Sequence, residues 1–321
     1  MAALVAPPPP GRRCRCYFSR APAGKIIRMN IAKPVGDRYF AMYVVDLAVL
    51  LHTFRLKTSN RISRIKVTAL IVAYGIFLAV INYPIVVGMD WYVHHHPVRL
   101  VFDVTEPPDQ RAREIKNSWI TTPIHAVLYV AFIGSGVLRV APETTGLALG
   151  TFVLTFLWTE IWHYVSHVAM HANALHFIHR EHHLSRRTEP WTSVSFSLLE
   201  KFIFSFGILG GLALISFLHP LSALGVFLYY VLYFYTNTLG HSGFEIRQPD
   251  YYRRFMGKVF NTPSYHALHH ARYIKNYGLI TPWFDRLFST EWADVAEVQT
   301  RAATGKPLTR LRETCAADSP A

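Results

Sequence analysis

The chain has 321 residues, of which 51% are hydrophobic, and it carries a formal net charge of +13. This composition is too apolar for an ordinary soluble domain and predicts a polytopic membrane protein. The basic residues lie between apolar runs, which favours an anionic membrane surface over nucleic acid as their partner. The three cysteines lie in the terminal regions, so we expect neither a disulfide framework nor a thiolate metal site.

The N-terminal third combines a basic stretch with one or two candidate membrane helices. Residues 1–36 contain no acidic residue, and we predict a disordered tail there. A transit peptide shares part of this composition, and Met29 is an alternative start. Residues 37–118 are expected to hold N-terminal membrane helices and a loop. The run at 67–87 is long enough to cross a membrane core of ~30 Å, whereas the run at 39–51 is short and could be interfacial.

Four further apolar runs form two predicted transmembrane hairpins. The first hairpin pairs 119–140 with 146–161, and the second pairs 198–218 with 221–239. The connecting turns carry no Lys or Arg, whereas the segments after each hairpin carry many. The basic segments follow the open end of each hairpin, opposite its connecting turn. The positive-inside rule therefore places these open ends in the cytoplasm. The basic loop at 55–66 breaks this rule if 67–87 spans once, so the N-terminal topology stays open.

Histidines with metal-ligand spacing follow the ends of the hairpins. The chain contains one HxxxH, two HxxHH clusters and an Asn-His pair four residues apart, and these spacings place the side chains on one face of a helix. One HxxxH arises often by chance, but four such groups on the same predicted membrane face favour metal binding. Neutral imidazole is a good ligand for iron, copper and zinc. The set is large enough for two metals with four or five nitrogen ligands each. The predicted ligands are His163, His167, His179, His182, His183, Asn237, His241, His266, His269 and His270.

Other polar residues near these clusters have weaker assignments. His171 and His176 lie between two clusters and stay unassigned. Glu160 could orient a ligand imidazole or lie at the interface, and Asp285 is expected to pair with a neighbouring base or with the second nitrogen of a ligand. Asn237 is either a ligand or water anchor, or a helix-terminal residue that satisfies backbone groups.

The order HxxxH, HxxHH, HxxHH resembles the fatty acid hydroxylase/sterol desaturase superfamily of membrane di-iron enzymes. The closing stretch NTPSYHALHHARYIKNYGLITPWFDRLFST resembles the end of that family's pattern, and the resemblance covers residues 119–290. It implies a catalytic domain at 119–290, followed by a polar tail at 291–321. It also implies an all-α fold of two transmembrane hairpins with a cytoplasmic histidine-rich helical cap, plus one or two extra N-terminal membrane helices. The ligand residues carry over one by one, except that Asn237 stands where some members have histidine.

The resemblance implies O2-dependent chemistry at an unactivated C–H bond of a sterol or fatty-acyl lipid, either hydroxylation or desaturation. The cofactor would be two iron ions, with no catalytic residue beyond the metal ligands. No HPGG haem-binding motif occurs, so the electrons are expected from a separate cytochrome b5 or ferredoxin-type donor. The expected location is the endoplasmic reticulum in a eukaryote or the inner membrane in a bacterium.

Two other classes of function stay open. The first is another histidine-box lipid reaction, such as aldehyde deformylation or ether-lipid cleavage. The second is a non-enzymatic histidine-rich protein that binds or transports metal. A transporter is expected to place its metal-binding residues in the middle of the membrane. The clusters in this chain follow helix ends, which favours an enzyme.

Overall fold

The computed structural model describes residues 61–315, with side chains from Thr68 onward. The predicted tail at 1–36, the apolar run at 39–51 and residues 316–321 lie outside the described residues. The described part contains ten α-helices, three short 3-10 helices and no β-strand, which confirms the predicted all-α class. The helices in chain order are α1 Arg61–His95, α2 Gln110–Gly134, α3 Thr145–Met170, α4 His176–His179, α5 Leu198–Leu218, α6 Ala223–Gly240, α7 Phe255–Val259, α8 Pro263–Arg272, α9 Trp283–Leu287 and α10 Val295–Ala303.

Within residues 61–315, three helices are long and apolar enough to cross a membrane. They are the Thr68–His95 part of α1, α3 and α5, which confirms a polytopic membrane protein. Helices α2 and α6 form where apolar runs were predicted, but they are less apolar than these three helices. Helix α2 begins in a charged turn, and α6 has only 18 residues, several of them tyrosine.

One predicted helix end differs from the structure for an identifiable reason. The predicted run at 119–140 is helical only as far as Gly134, because the chain turns through Gly136 in a left-handed conformation with φ of 75°. The run at 146–161 was expected to continue as a helix into the histidines, and it does so as far as Met170. His163 and His167 therefore lie on the last turns of a membrane helix, as their spacing predicts.

The long helices form a bundle in which each predicted hairpin packs mainly against the other. Helix α3 contacts α5 and α6, whereas α2 contacts α1 and α5. The two connecting turns meet at one end of the bundle. Leu221 N–H donates to the Arg139 carbonyl at 2.9 Å, and Ala141 N–H donates to the Leu221 carbonyl at 3.0 Å. The histidines lie at the other end of the bundle.

Two glycines on α5 allow a close approach to α3. A Cβ at Gly207 would lie 2.0 Å from the Trp162 ring, and one at Gly211 would lie 2.1 Å from the Trp158 ring. The Trp162 indole N–H donates to the Phe204 carbonyl at 3.2 Å. Because each indole fills the space of a missing side chain and bonds to backbone, these contacts fix how α5 faces α3.

A small helical unit lies beyond the bundle and carries the last histidine cluster. Every residue of α8 is buried. Helix α10 belongs to the same buried apolar cluster, to which it contributes Val295, Val298 and Ala302. Arg272, the last residue of α8, forms two hydrogen bonds of 2.7 and 2.8 Å with Asp294. Helix α10, which packs on α8, lies beyond residue 290, the predicted end of the catalytic domain.

Candidate metal centre

Nine histidines in the described part of the chain meet in two groups. The potential ligand atoms of each group all lie within 4.8 Å of one another. The side chains come from the end of α3, from α4 and the turn after it, from the residue that follows α6, and from α8. The first cluster is His167, His171, His179, His183 and His269, and the second cluster is His182, His241, His266 and His270.

These two clusters bring together eight of the ten sequence-predicted ligands. Neither cluster includes His163 or Asn237, and the first cluster adds His171, which the sequence left unassigned. A sequence signal for His171 exists, because His163, His167 and His171 are spaced at i, i+4 and i+8 along one helix face. His171 follows the last residue of α3, and its buried Nε2 has no hydrogen-bond partner among residues 61–315.

Five imidazoles are oriented by backbone carbonyl oxygens. A carbonyl oxygen only accepts, so in each pair Nδ1 must carry the proton and Nε2 must carry the lone pair. The Nε2 atoms therefore face the cluster as potential metal ligands. The pairs are His167 with Tyr277, His182 with Ser195, His241 with Asn237, His269 with Lys275 and His270 with Ser185, at 2.7 to 2.9 Å.

The second cluster contains a contact that calls for a cation. His182 Nε2 lies 3.2 Å from His241 Nε2, and both rings already donate their Nδ1 protons to carbonyl oxygens. Two lone pairs therefore face each other in a buried site, which is unfavourable unless a cation lies between them. His266 Nε2 lies 2.9 Å from the same His241 atom. Nitrogens bound at about 2.1 Å and at right angles to one metal would be about 3.0 Å apart, so these side chains fit a metal ion.

Burial keeps these imidazoles neutral. Burial, followed by the neighbouring imidazoles, lowers the pKa of His183, His266 and His270 well below the usual value. The pKa of His241 falls to about 4, again mainly through burial. At neutral pH the rings are therefore uncharged, and their lone pairs are available to a metal.

Two buried carboxylates support the clusters. Glu200 on α5 is 2% exposed, and its Oε1 lies 2.6 Å from His179 Nδ1. Glu114 on α2 accepts from the Ser185 hydroxyl at 2.5 Å, and the Ser185 carbonyl in turn accepts from His270. Carboxylates in such positions fix the orientation of a ligand imidazole and raise its basicity.

The loop after α8 supplies carbonyl oxygens to the first cluster. Tyr273, Lys275 and Asn276 have positive φ values of 73°, 66° and 52°, a conformation that non-glycine residues adopt only when their surroundings require it. Asp285 stabilises this loop by accepting from the backbone N–H of Tyr277 at 2.9 Å. The carbonyls of Lys275 and Tyr277 then reach His269 and His167.

Asp285 and Glu160, whose roles the sequence left open, do not bind the ligand imidazoles directly. Asp285 was expected to pair with a base or with a ligand nitrogen, and instead accepts from Tyr265, Thr290 and two backbone N–H groups. Glu160 accepts from the backbone N–H and hydroxyl of Thr281, and not from an imidazole. Both carboxylates therefore fix the chain that follows α8, and Asp285 supports His167 indirectly because it binds the backbone of Tyr277.

A cavity lies between the membrane helices and the two clusters. His163 lines it, and its two buried ring nitrogens have no hydrogen-bond partner in the described part of the chain. Asn237 also lines it and donates its amide N–H to the Ser193 carbonyl at 2.7 Å. Four aromatic side chains form a further part of its walls: Phe196, Phe204, Tyr233 and Phe234. The space beside the two clusters is therefore partly apolar.

The comparisons with known proteins agree with this geometry. The family model described as fatty acid hydroxylase matches residues 152–290. The very-long-chain aldehyde decarbonylase GL1-4 of Oryza sativa subsp. japonica is 27% identical over 257 residues, which cover 77% of this chain and 41% of that protein. The very-long-chain aldehyde decarbonylase CER1 of Arabidopsis thaliana is 34% identical over 132 residues, which cover 40% of this chain and 21% of that protein. No solved structure matches.

This chain therefore spans about two fifths of the length of the first of these relatives. The matched segment, 152–290, contains all nine clustered histidines and the loop that orients two of them. Residues 152–290 therefore match the fatty acid hydroxylase family, which confirms the resemblance found in the sequence.

Proposed function

We propose that this protein is an O2-dependent di-iron enzyme that oxidises a lipid drawn from the membrane. The observation that carries the proposal is the pair of all-nitrogen clusters at the end of an apolar helix bundle, beside a cavity with aromatic walls. Each cluster would hold one iron, with His163 and Asn237 as further candidates for a ligand or a water anchor. When bound, the iron pair would supply the reduction of dioxygen and the oxidising power for the lipid.

The residues of the chain have three roles in this proposal. The imidazoles bind the metals in a neutral state, because burial disfavours their protonation. Backbone carbonyls and Glu200 hold the rings in one orientation. Phe204 and Phe234 exclude water and guide an acyl chain.

Hydroxylation or desaturation of a sterol or fatty-acyl chain is one outcome of this chemistry. A second candidate is the conversion of a long-chain aldehyde to a hydrocarbon, favoured by the similarity to proteins named very-long-chain aldehyde decarbonylases. The two outcomes use the same metals and differ in which substrate carbon faces them. Analysis of the products therefore distinguishes them.

The proposal also includes an electron donor and a location. Electrons would come from a separate cytochrome b5 or ferredoxin-type donor, and the basic residues of the cap would attract an acidic partner. The histidine clusters would face the cytoplasm, at the endoplasmic reticulum or a bacterial inner membrane, as the charge of the loops predicts.

The test measures metal content and product together. Purified protein is expected to contain two irons per chain and to form an oxidised or shortened lipid only with O2 and a reductant. His182→Ala and His269→Ala each remove one ligand from a different cluster and should each abolish product and lower the iron content. His95→Ala serves as the control, because His95 is exposed and lies outside both clusters. Zinc in place of iron, or full activity in both cluster variants, would rule the proposal out.

A further inference from the structure

Lys201 is a positively charged residue in the wall of the cavity. It lies in the first turn of α5, one of the three helices suited to cross a membrane, and it is only partly exposed. Charged side chains in such helices are costly and usually mark a binding site or a pathway. Its position beside the metal clusters therefore needs a specific explanation.

The Lys201 ammonium lies close to the second cluster. Its Nζ is 5.0 Å from the centre of the Phe196 ring, and that ring stacks on His182 with 4.7 Å between ring centres and 10° between planes. The preceding residue, Glu200, is fixed by its contact with His179. A single aromatic ring thus separates the ammonium from an imidazole of the second cluster.

Two ordinary explanations do not account for Lys201. The charge of the adjacent Glu200 acts on Lys201, but within residues 61–315 no carboxylate forms an ion pair with its Nζ, and Glu200 contacts His179 instead. A lysine near the end of a membrane helix often extends its ammonium into water. Lys201 instead faces the cavity and contacts the face of Phe196. The ammonium is therefore available to a molecule that occupies the cavity.

Other polar side chains line the cavity with Lys201. Asn82 on α1 is 5% exposed and uses its amide N–H within its own helix, and Ser193 and Asn237 also line the space. Glu200 lines it too, but its Oε1 is engaged by His179, and the rest of the lining is aromatic, histidine or methionine. The cavity thus combines apolar walls for a hydrocarbon chain with a small number of polar groups, which is the usual composition of a site for a chain with one polar end.

We propose that Lys201 binds the terminal carbonyl oxygen of a long-chain lipid, as an aldehyde or a carboxylate, and places that end beside the second cluster. This inference rests on the proposed function and narrows its substrate to chains that end in a carbonyl group. A charged N–H donor binds a carbonyl oxygen more strongly than a neutral one does. A hydrocarbon or a ring system without a terminal carbonyl would gain nothing from the lysine.

The first test measures binding and does not require turnover. Full-length protein in lipid nanodiscs is titrated with hexadecanal, hexadecanoic acid and hexadecane. Loss of a hydrogen bond to a charged group corresponds to about 10- to 100-fold in affinity. Lys201→Met should raise the Kd for the two carbonyl compounds by that amount and leave hexadecane unchanged, whereas Lys201→Arg should keep most of the affinity. Lys116→Met is the control, because Lys116 is exposed and does not line the cavity.

The second test needs no variant and so does not depend on the folding of one. An aldehyde held beside Lys201 condenses with its amine as water leaves, and cyanoborohydride reduces the resulting C=N bond to a stable secondary amine. Peptide mass spectrometry should find the hexadecyl group on Lys201 well before it appears on exposed Lys116. Hexadecanoic acid should compete with this labelling more strongly than hexadecane does. The relative affinities for aldehyde and acid show which carbonyl compound is preferred.

The outcomes separate this inference from the proposed function. Even labelling of all lysines, or an unchanged Kd for hexadecanal in Lys201→Met, would overturn the inference while product formation and iron content still supported the enzyme. Protein without iron or product, but with selective labelling of Lys201, would refute the enzyme and leave the carbonyl site in place.

Discussion

Replacing Glu200 tests whether the clusters depend on a buried carboxylate. Its Oε1 lies 2.6 Å from His179 Nδ1, and the side chain is almost fully buried. Glu200→Gln keeps an acceptor for the imidazole but removes the negative charge, whereas Glu200→Ala removes both and leaves Nδ1 without a partner. Loss of such a support lowers metal affinity by about 10- to 100-fold. We therefore expect about 10-fold for Gln and about 100-fold for Ala, or roughly 1.4 and 2.7 kcal/mol.

The measurement is iron retained per chain as a chelator is titrated, so that each cluster releases its metal separately. Only the first cluster should weaken, because His179 belongs to it. Glu160→Gln is the matched control: Glu160 is equally buried on a membrane helix, but it accepts from Thr281 and not from an imidazole. Equal retention by Glu200→Ala and wild type would refute this reasoning, and so would a loss of the same size in Glu160→Gln.

Three further predictions concern packing, pH and the cap. Gly207→Ala should lower the free energy of unfolding by about 1–3 kcal/mol, because its Cβ would overlap an indole ring. Gly210→Ala is the control, since its Cβ meets only an ordinary contact at 3.8 Å, and thermal melts of both variants measure the difference. Metal-free protein should lose stability as the pH falls from about 6.5 toward 4, because the pKa of His241 is lowered to about 4 and the unfolded chain binds more protons in that window. Thermal melts at several pH values measure this, and the melting temperature of His241→Asn should depend less steeply on pH. Asp294→Ala should destabilise the protein by about 3–5 kcal/mol, since it leaves Arg272 buried without its partner, and adding Arg272→Met should recover part of the loss. A steeper melt-versus-pH slope in His241→Asn, or additive losses in the Asp294 and Arg272 double variant, would contradict these arguments.

Helical spacing explains why so much of the site was predictable from the sequence. His266 and His270 share a face because i and i+4 positions coincide on α8. His179, His182 and His183 have a similar spacing, but α4 ends at His179 and His182–Leu184 forms a 3-10 helix, so the single helix expected there is interrupted. All three still reach the clusters, because they lie within five residues of one another. His171 follows the same rule from His167 but lies outside the familiar spacing of the boxes, so the sequence left it unassigned.

The apolar helices could also be predicted from the sequence, but not all of their ends could. The apolar run of α5 was predicted with its observed bounds, because it begins after a capping Ser197 and ends before a proline. The end of α2 was misplaced, because a chain reversal at Gly136 does not interrupt the hydropathy. The roles of Asp285 and Glu160 were also misjudged, since their partners lie far away in the sequence or in an irregular loop.

The sequence by itself determined the class of fold and most of the histidines that meet in the two clusters, because these follow from composition and from short-range spacing. Only the tertiary structure decided how the histidines divide between two clusters, since His183 joins His269 whereas the adjacent His182 joins His241. That division depends on the direction of each side chain and on contacts between residues up to 110 positions apart, as in His167 with Tyr277. It also depends on carbonyl groups of irregular loops, which no periodicity reports.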